Sequence, residues 1–171
     1  MALGPCRAQM VGDNVTDVLA LRALQSALNC SPTPWPTSSD AVCPGPCSPA
    51  CPAWQGVACL EGRVSNVTLT GASCQGTLPP ANAPSLTALQ KLSLRGCGVR
   101  GTLSPYLVSL QALRSLTLSN NALSGTLPQN MSSLGNLVML DLSFNAFSGT
   151  LPSAWGALAR VQELSLQQNA L

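Results

Sequence analysis

The chain repeats itself with a fixed period. The stretch SNNALSGTLP at residues 119–128 returns as SFNAFSGTLP at residues 143–152, with eight of the ten letters unchanged. The 24-residue spacing is kept by four leucines and three glycines: Leu86, Leu110, Leu134, Leu158, Gly101, Gly125 and Gly149. A constant period of this length indicates a stack of similar units, each of which contacts only its neighbours.

Each unit carries the pattern L-x-x-L-x-L-x-x-[N/C]-x-[L/V/F]. Full copies occupy residues 89–99, 113–123 and 137–147, a partial copy occupies 161–171, and a degenerate copy begins at Val64. The alternation x-L-x-L-x sends both leucines to one side of a strand and the intervening residues to the other. Since no unit can bury its own leucines, the strands of successive units must stack into one parallel sheet.

This pattern, with its Leu-Ser-Gly-Thr-Leu-Pro ending, resembles the leucine-rich repeat of the 24-residue plant type. The resemblance spans residues 64–171 and implies an α/β solenoid with a curved parallel β-sheet on its concave face and irregular or 3-10 segments on its convex side. It predicts four repeats and the truncated start of a fifth, so we expect the chain to be the N-terminal fragment of a longer protein that carries further repeats. The Asn after each strand is expected to satisfy backbone groups at the turn, with Cys97 in its place in one repeat.

The N-terminal part differs in kind from the repeats. Thr16-Asp17 can cap a helix, because Val18, Leu21, Leu24 and Leu28 follow at near-helical spacing. Seven prolines between residues 32 and 52 then predict irregular, extended chain. We therefore divide the chain into a disordered or residual segment (1–15), an N-terminal cap (16–63) and the repeats (64–171).

Six of the eight cysteines precede Val64. The order of helix, Trp35 and C-x-x-W-x-G-V-x-C at residues 51–59 resembles the N-terminal cap of plant extracellular leucine-rich-repeat proteins, which implies a disulfide between Cys51 and Cys59. The pairing of the other cap cysteines stays open: Cys6, Cys30, Cys43 and Cys47.

A metal site is the competing interpretation of Cys43, Cys47, Cys51 and Cys59. It is disfavoured because the two-residue cysteine spacing common in zinc sites is absent and prolines crowd these positions, so we expect no metal. In the repeats, Cys74 and Cys97 are expected to be buried free thiols.

Glycosylation sequons at Asn14, Asn66 and Asn130, with a formal fourth at Asn29-Cys-Ser, and the cysteines favour an extracellular or cell-surface protein, at the plasma membrane if it is part of a receptor. The first residues lack the apolar run of a signal peptide. This leaves two interpretations, an upstream start with its signal or an intracellular protein of the cytoplasm, cytoskeleton or cilium with reduced cysteines, and the cap resemblance favours the first.

Composition narrows the function classes. The chain has no histidine and only six acidic residues, which form no motif, so we expect no enzyme activity and no cofactor. Basic residues are scattered singly, which argues against nucleic acid. No apolar run approaches the roughly 18 residues that span a bilayer, so we expect no membrane span in this chain.

Binding is the remaining function. The outward residues of the predicted strands line up across the coils, and the candidates among them are Lys91, Ser93, Arg95, Thr117, Ser119, Met139, Asp141 and Glu163. We predict that this concave surface binds a protein, peptide or glycan, as the N-terminal part of an extracellular receptor-like protein or inhibitor. The alternative is an intracellular scaffold, for example in a cytoskeletal or ciliary assembly.

Overall fold

The computed structural model describes residues 12–32, 35, 45–47 and 54–171. These ranges contain one α-helix, α1 (Gly12–Leu28), followed by the strands β1 (Val57–Leu60), β2 (Arg63–Thr70), β3 (Lys91–Arg95), β4 (Arg100–Gly101), β5 (Ser115–Thr117), β6 (Ala122–Thr126), β7 (Met139–Asp141), β8 (Ala146–Ser148) and β9 (Glu163–Ser165). Short 3-10 helices span Pro105–Ser109, Gln129–Ser133 and Ser153–Ala157. The predicted solenoid with 3-10 segments is confirmed.

The main sheet has the strand order β1-β2-β3-β5-β7-β9. β1 is antiparallel to β2, and all later neighbours are parallel. The register aligns two outward columns across the coils, one through Asn66, Lys91, Ser115, Met139 and Glu163 and one through Thr68, Ser93, Thr117, Asp141 and Ser165. Of the third outward column, which contains Thr70, Arg95, Ser119, Ser143 and Gln167, the strands pair only Thr70 with Arg95. These two columns confirm the prediction that outward residues line up across the coils, because from β3 onward a period of 24 residues returns each strand to the same place.

A second parallel sheet, of order β4-β6-β8, was not predicted. Its strands lie between the turn that follows each main strand and the next 3-10 helix. The sequence there contains Gly101, Gly125 and Gly149, each with a positive φ, and glycine weakens a strand signal. These strands form because the stack brings neighbouring coils into hydrogen-bonding distance, which local propensity does not reveal.

An asparagine that follows each of the strands β5, β7 and β9 ties two coils together, as predicted. Asn121 Oδ1 accepts hydrogen bonds from the backbone N–H groups of Cys97 (3.1 Å) and Val99 (3.0 Å). Its Nδ2 donates back to the carbonyl oxygens of Leu94 (2.7 Å) and Leu118 (2.9 Å). Asn145 and Asn169 repeat the Nδ2 contacts one and two coils further on, while their Oδ1 atoms accept from one N–H each, those of Leu123 and Phe147.

Cys97 occupies the asparagine position of its coil as a buried free thiol, which confirms that prediction. Its Sγ donates to the carbonyl oxygen of Leu69 at 3.4 Å, a weak substitute for the amide. Burial raises the pKa of the Cys97 thiol above its ordinary value, against the opposing effect of backbone N–H groups at Ala72 and Gly71. Cys97 therefore stays protonated and acts as part of the core.

The cap helix begins at Gly12, four residues before the predicted start at Thr16-Asp17. Asp17 does not cap the helix. Its carboxylate is fully buried, accepts hydrogen bonds from Arg63 Nε (3.0 Å) and Nη2 (2.9 Å), and also accepts one from the Val64 N–H (2.8 Å). Contacts distant in sequence, which outweigh the local capping preference, therefore decide the role of Asp17.

The predicted pair of Cys51 and Cys59 is wrong, since Cys59 is bonded to Cys47 with a Cα–Cα distance of 5.5 Å. Strand β1 places Cys59 beside the turn at residues 45–47, and spacing along the chain could not tell which cysteine would meet it. Cys51 itself lies outside the described residues. The same bond excludes the four-cysteine metal site, because two of its sulfurs are consumed by the disulfide.

The prediction of a free thiol at Cys74 is also wrong, because Cys74 is bonded to Cys30 at the end of the cap. The segment after α1 runs antiparallel to residues 73–77, and Gly76 N–H donates to the Leu28 carbonyl oxygen at 2.9 Å. A Cβ on Gly76 would lie 1.9 Å from the Ala27 carbonyl oxygen, so only glycine permits this approach. The disulfide thus joins the cap to the first coil.

The leucines of the last coil are less covered than those before them. Leu116 and Leu140 have no exposed surface, whereas Leu164 is 46% exposed and Leu171 is 43% exposed. β9 lies at the edge of the main sheet and pairs only with β7 among the described strands. The last coil is therefore packed against a neighbouring coil on one side only among the described residues.

Removal of the Asp17 carboxylate should destabilise the chain through the cap. Asp17→Ala leaves the Val64 N–H and Arg63 without this acceptor. We expect a loss of about 3 kcal/mol, the lower end for a broken buried pair, because the Arg63 side chain is 25% exposed. Urea unfolding measures the change. Arg22→Ala, on the same helix but exposed, is the matched control and should change stability by less than about 0.5 kcal/mol. Equal effects of both substitutions would contradict this role for Asp17.

Hydrogen exchange should report the unequal packing of the coils. In the 171-residue chain we expect backbone amides of residues 158–171 to exchange fastest among the repeats, because their leucines are partly exposed and one strand edge is unpaired. Amides of residues 113–119, on an internal coil, serve as the reference. Equal protection of the two segments would show that the last coil needs no further cover.

Candidate functional site

The concave face of the main sheet presents the predicted binding residues to solvent to different degrees. Lys91, Arg95 and Glu163 are exposed, and Thr117, Met139 and Asp141 are partly exposed. Ser93 and Ser119 are 8% and 1% exposed, so their hydroxyls are shielded from the groove although the register places them on its columns. The sheet therefore brings together six of the eight predicted residues as an accessible surface.

Charge changes sign along this surface. Lys91 and Arg95 stand on β3, whereas Asp141 stands on β7 and Glu163 on β9. Between them, β5 carries only the small, neutral side chains of Ser115 and Thr117 on its outward face. Among the described residues, no two of these concave charges lie within ion-pair distance of each other.

Asp141 is held in its charged form. Burial alone would raise its pKa, but hydrogen bonds to the carboxylate and the positive charge of Arg95 outweigh burial and lower the pKa below its ordinary value. Asp141 Oδ1 accepts from the Ser143 hydroxyl at 2.6 Å and from the Ser143 N–H at 3.0 Å. The Ser119 hydroxyl contributes as well, although it forms no well-shaped hydrogen bond. Oδ2 accepts no well-shaped hydrogen bond from a described residue, and the Asp141 side chain is partly exposed.

Phe144 is a surface feature that our sequence interpretation missed. It follows the third column, is 49% exposed, and has a φ of 55°. A left-handed backbone is unusual for a bulky residue and costs on the order of 1 kcal/mol. The equivalent positions of the other coils hold Gly96, Asn120 and Gln168, all with positive φ. The available signal was therefore an aromatic residue where neighbouring repeats have glycine or an amide.

The sequons lie in different settings. Asn66 is half-buried on β2, opposite Lys91, and Asn130 is exposed on the 3-10 helix Gln129–Ser133. Asn14 belongs to α1, and its side chain lies outside the described part of the chain. Whether any of them is glycosylated stays a prediction.

The part of the chain that the structure describes contains neither a membrane-spanning helix nor a cluster of metal ligands. No helix there combines the length and the apolar character that crossing a membrane requires. Nor do the described residues gather three or more histidine, cysteine or carboxylate side chains in an arrangement that could hold a metal ion.

The repeats match known sequences. The leucine rich repeat family model matches residues 111–171. Over 97 residues the chain is 38% identical to an inactive leucine-rich repeat receptor-like serine/threonine-protein kinase of Arabidopsis thaliana. This match covers 55% of the chain but only 14% of the kinase, so the chain spans a small part of that relative's length.

Solved structures share the fold over nearly the whole chain. A chain in the BIR3–SERK2 complex from Arabidopsis thaliana has a TM-score of 0.74 and 29% identity, with 90% of this chain and 81% of that chain covered. A plant ice-binding protein has a TM-score of 0.76 and 30% identity, with 91% of this chain and 49% of that chain covered. The likeness therefore includes the cap as well as the repeats.

The Ser143 hydroxyl should set the charge state of Asp141. In Ser143→Ala we expect the Asp141 pKa to rise toward its ordinary value, as followed by NMR titration of the side-chain carboxyl. A carboxylate with a lowered folded pKa stabilises the fold above the unfolded pKa of about 4 and loses that contribution as pH falls through the folded pKa. The stability difference between wild type and Ser143→Ala should therefore shrink as the pH is lowered.

Ser148→Ala, an exposed change on β8, is the matched control and should leave the Asp141 titration where it is. An unchanged Asp141 pKa in Ser143→Ala would show that the hydroxyl does not stabilise the carboxylate.

Proposed function

Because the chain is a plant-type leucine-rich-repeat protein, we propose that it is a non-catalytic recognition module of an extracellular protein and binds a protein or peptide on its concave sheet. The observation that carries this proposal is the use of the two strand faces. Inward leucines such as Leu92 and Leu116 are buried, while Lys91, Arg95 and Glu163 point outward without an ion pair among the described residues. A curved solenoid offers such a face to its partners.

The disulfides support the extracellular setting. Cys30–Cys74 joins the cap to the repeats, and Cys47–Cys59 ties the cap to β1. Structural disulfides persist in oxidising compartments and are rare in the cytosol. The intracellular scaffold would need these four cysteines reduced, so the bridges favour a receptor-like protein or inhibitor, at the plasma membrane if the whole protein is a receptor.

A binding role also fits the chemistry of the concave face. The chain has no histidine, and the Asp141 pKa is lowered, so this carboxyl is a poor proton donor near neutral pH. The similar kinase is itself named inactive. We therefore assign the concave carboxylates to recognition.

A protein or peptide fits better than a periodic surface such as ice. The outward columns change chemistry from coil to coil: the first column alone contains an amide, a cation, a hydroxyl, a thioether and a carboxylate. A lattice presents the same group at every step, whereas a polypeptide varies along its length. The BIR3–SERK2 complex offers a precedent for a protein partner on a similar fold. A glycan is less favoured, because Phe144 is the one exposed aromatic side chain near the described concave strands.

Glycosylation is compatible with this proposal at Asn130, which is exposed and remote from the concave strands. A glycan at Asn66 would stand on β2 beside Lys91 and crowd the basic end of the surface. We therefore propose Asn130 as the glycosylated position among the described sequon side chains.

Selection of random heptapeptides on the folded chain tests the proposed function without knowledge of the natural ligand. We expect enriched peptides to lose at least about tenfold in affinity on Lys91→Glu/Arg95→Glu or on Asp141→Lys, because hydrogen bonds and ion pairs to charged groups are removed and like charges are introduced. Gln111→Ala and Gln129→Ala, exposed changes away from the concave strands, should bind as wild type does.

Equal losses at the two sets of positions would place the binding surface elsewhere. Circular dichroism and unfolding midpoints of all four variants exclude a loss of fold as the cause. If selection enriches no peptide that depends on Lys91, Arg95 or Asp141, concave peptide binding is wrong.

A further inference from the structure

The concave sheet carries a spatial order of charges that can select among ligands. Coil by coil, its outward face is basic on β3, small and neutral on β5, and acidic on β7 and β9. The exposed ends of this order are Lys91 and Arg95 on one side and Glu163 on the other, with Asp141 one strand before Glu163. A ligand that matches this order must carry opposite charges at its two ends.

The sheet also fixes the distance between the Cα atoms of the residues that carry these charges. Neighbouring parallel strands lie about 4.8 Å apart, and Lys91 and Glu163 share one column with three strand steps between them. Their Cα atoms are therefore about 14 Å apart. Arg95 and Asp141 are two strand steps apart and lie on adjacent columns, where residues i and i+2 are about 6.7 Å apart, which gives about 12 Å.

The middle of the surface leaves room for a ligand to lie across the strands. Ser115 and Thr117 are partly buried, short side chains, and the Ser119 hydroxyl beside them is buried. The Ser115 hydroxyl is directed at Met139 Sδ, 3.6 Å away. β5 therefore forms a shallow trough between the long side chains of β3 and those of β7 and β9.

The acidic side is prepared to receive a cation. The pKa of Asp141 is lowered, so the carboxylate is charged at neutral pH, and Ser143 holds Oδ1 while no well-shaped hydrogen bond from a described residue reaches Oδ2. A carboxylate fixed by one oxygen loses less side-chain entropy on binding than a free one. Arg95 and Lys91, exposed on the basic side, form no ion pair with any described residue.

We infer that the concave sheet takes an extended peptide segment with an acidic and a basic side chain four residues apart, the acidic one over Lys91 and Arg95 and the basic one over Asp141 and Glu163. This inference rests on the proposed function and specifies its ligand. In an extended chain, side chains i and i+4 point to the same face and are about 13 Å apart. That separation matches the roughly 12–14 Å between the Cα atoms that carry the charges of the sheet, and small residues between them face the trough of β5.

Other classes of ligand fit this order less well. A nucleic acid or an anionic membrane surface would meet Asp141 and Glu163 as like charges. A polyacidic peptide would meet the same repulsion at β7 and β9, and a polybasic one would meet it at β3. Complementary charge order thus excludes uniformly charged partners and favours a segment of mixed sign.

A spacing series of synthetic peptides tests the inference. Acetylated and amidated nonapeptides of Ser and Thr carry one Glu and one Lys separated by two, three, four, five or six positions, and binding to the 171-residue chain is followed by NMR titration at low salt. We expect the four-residue spacing to bind at least about threefold more tightly than the others, because only there do two ion pairs form together. Chemical shift changes should appear at Lys91, Arg95, Asp141 and Glu163.

A change of preference provides the matched control. In Asp141→Lys/Glu163→Lys the concave face becomes basic throughout, so the peptide with Glu at both positions should replace the Glu/Lys peptide as the tighter ligand. Gln111→Ala/Gln129→Ala should keep the wild-type order of affinities. Unfolding midpoints establish that each variant is folded.

Two outcomes would overturn the inference. Affinities that do not depend on spacing, or shift changes confined to residues outside the concave strands, would show that the charge order does not select the ligand. If the selection of random heptapeptides still enriches peptides that need Lys91, Arg95 or Asp141, the proposed function holds, and only the inference of two opposite charges four residues apart is wrong. If it enriches none, both fail together.

Discussion

The structure depends on one constraint, which is that no coil can bury its own leucines. Leu92, Leu116 and Leu140 have almost no exposed surface because the next coil covers each of them, and Leu164 shows the consequence where that cover is thinner. The asparagines that follow β5, β7 and β9 make each coil depend on its neighbour through hydrogen bonds as well, since Asn121 donates to the carbonyl oxygen of Leu94 one coil away. Stability is therefore a property of interfaces between coils, and it fixes the strand spacing on which the concave surface is built.

The cap solves the same problem at the first coil, where Ala72 replaces the asparagine and offers no amide. There the chain after α1 takes over the pairing: the Gln75 N–H donates to the Asn29 carbonyl oxygen at 3.2 Å, and the Ser31 N–H donates to the Ser73 carbonyl oxygen at 2.9 Å. Two further links hold this substitute in place, the buried carboxylate of Asp17 on Arg63 and the disulfide of Cys30 with Cys74. The cap thus supplies the backbone partners and the cover that a preceding coil would provide.

The sequence predicted the features that follow from the 24-residue period, and it missed those that depend on contacts between residues distant along the chain. Because the period fixes which residues share a column, Lys91, Ser115, Met139 and Glu163 could be aligned without a structure. Disulfide pairing could not, since Cys47 and Cys51 are both close to Cys59 along the chain. The second sheet was not predicted because its strands are short and contain or adjoin glycine. Solvent exposure of the site could be predicted only in part. The alternation of the strand predicted that Ser119 points away from the leucine face, but not that it is buried.

Residues on the concave surface can vary to suit a ligand because contacts in the core and between the coils stabilise the fold. At Phe144 the left-handed backbone is imposed by the stack, since its N–H donates to the Gln167 carbonyl oxygen at 2.9 Å and its own carbonyl oxygen accepts from the Asn121 N–H at 3.2 Å. Gly96, Asn120 and Gln168 accept the same conformation, so the backbone does not require an aromatic residue there. The half-exposed ring therefore adds apolar area beside the acidic end of the groove, where a ligand that carries a cation could also place a hydrophobic neighbour.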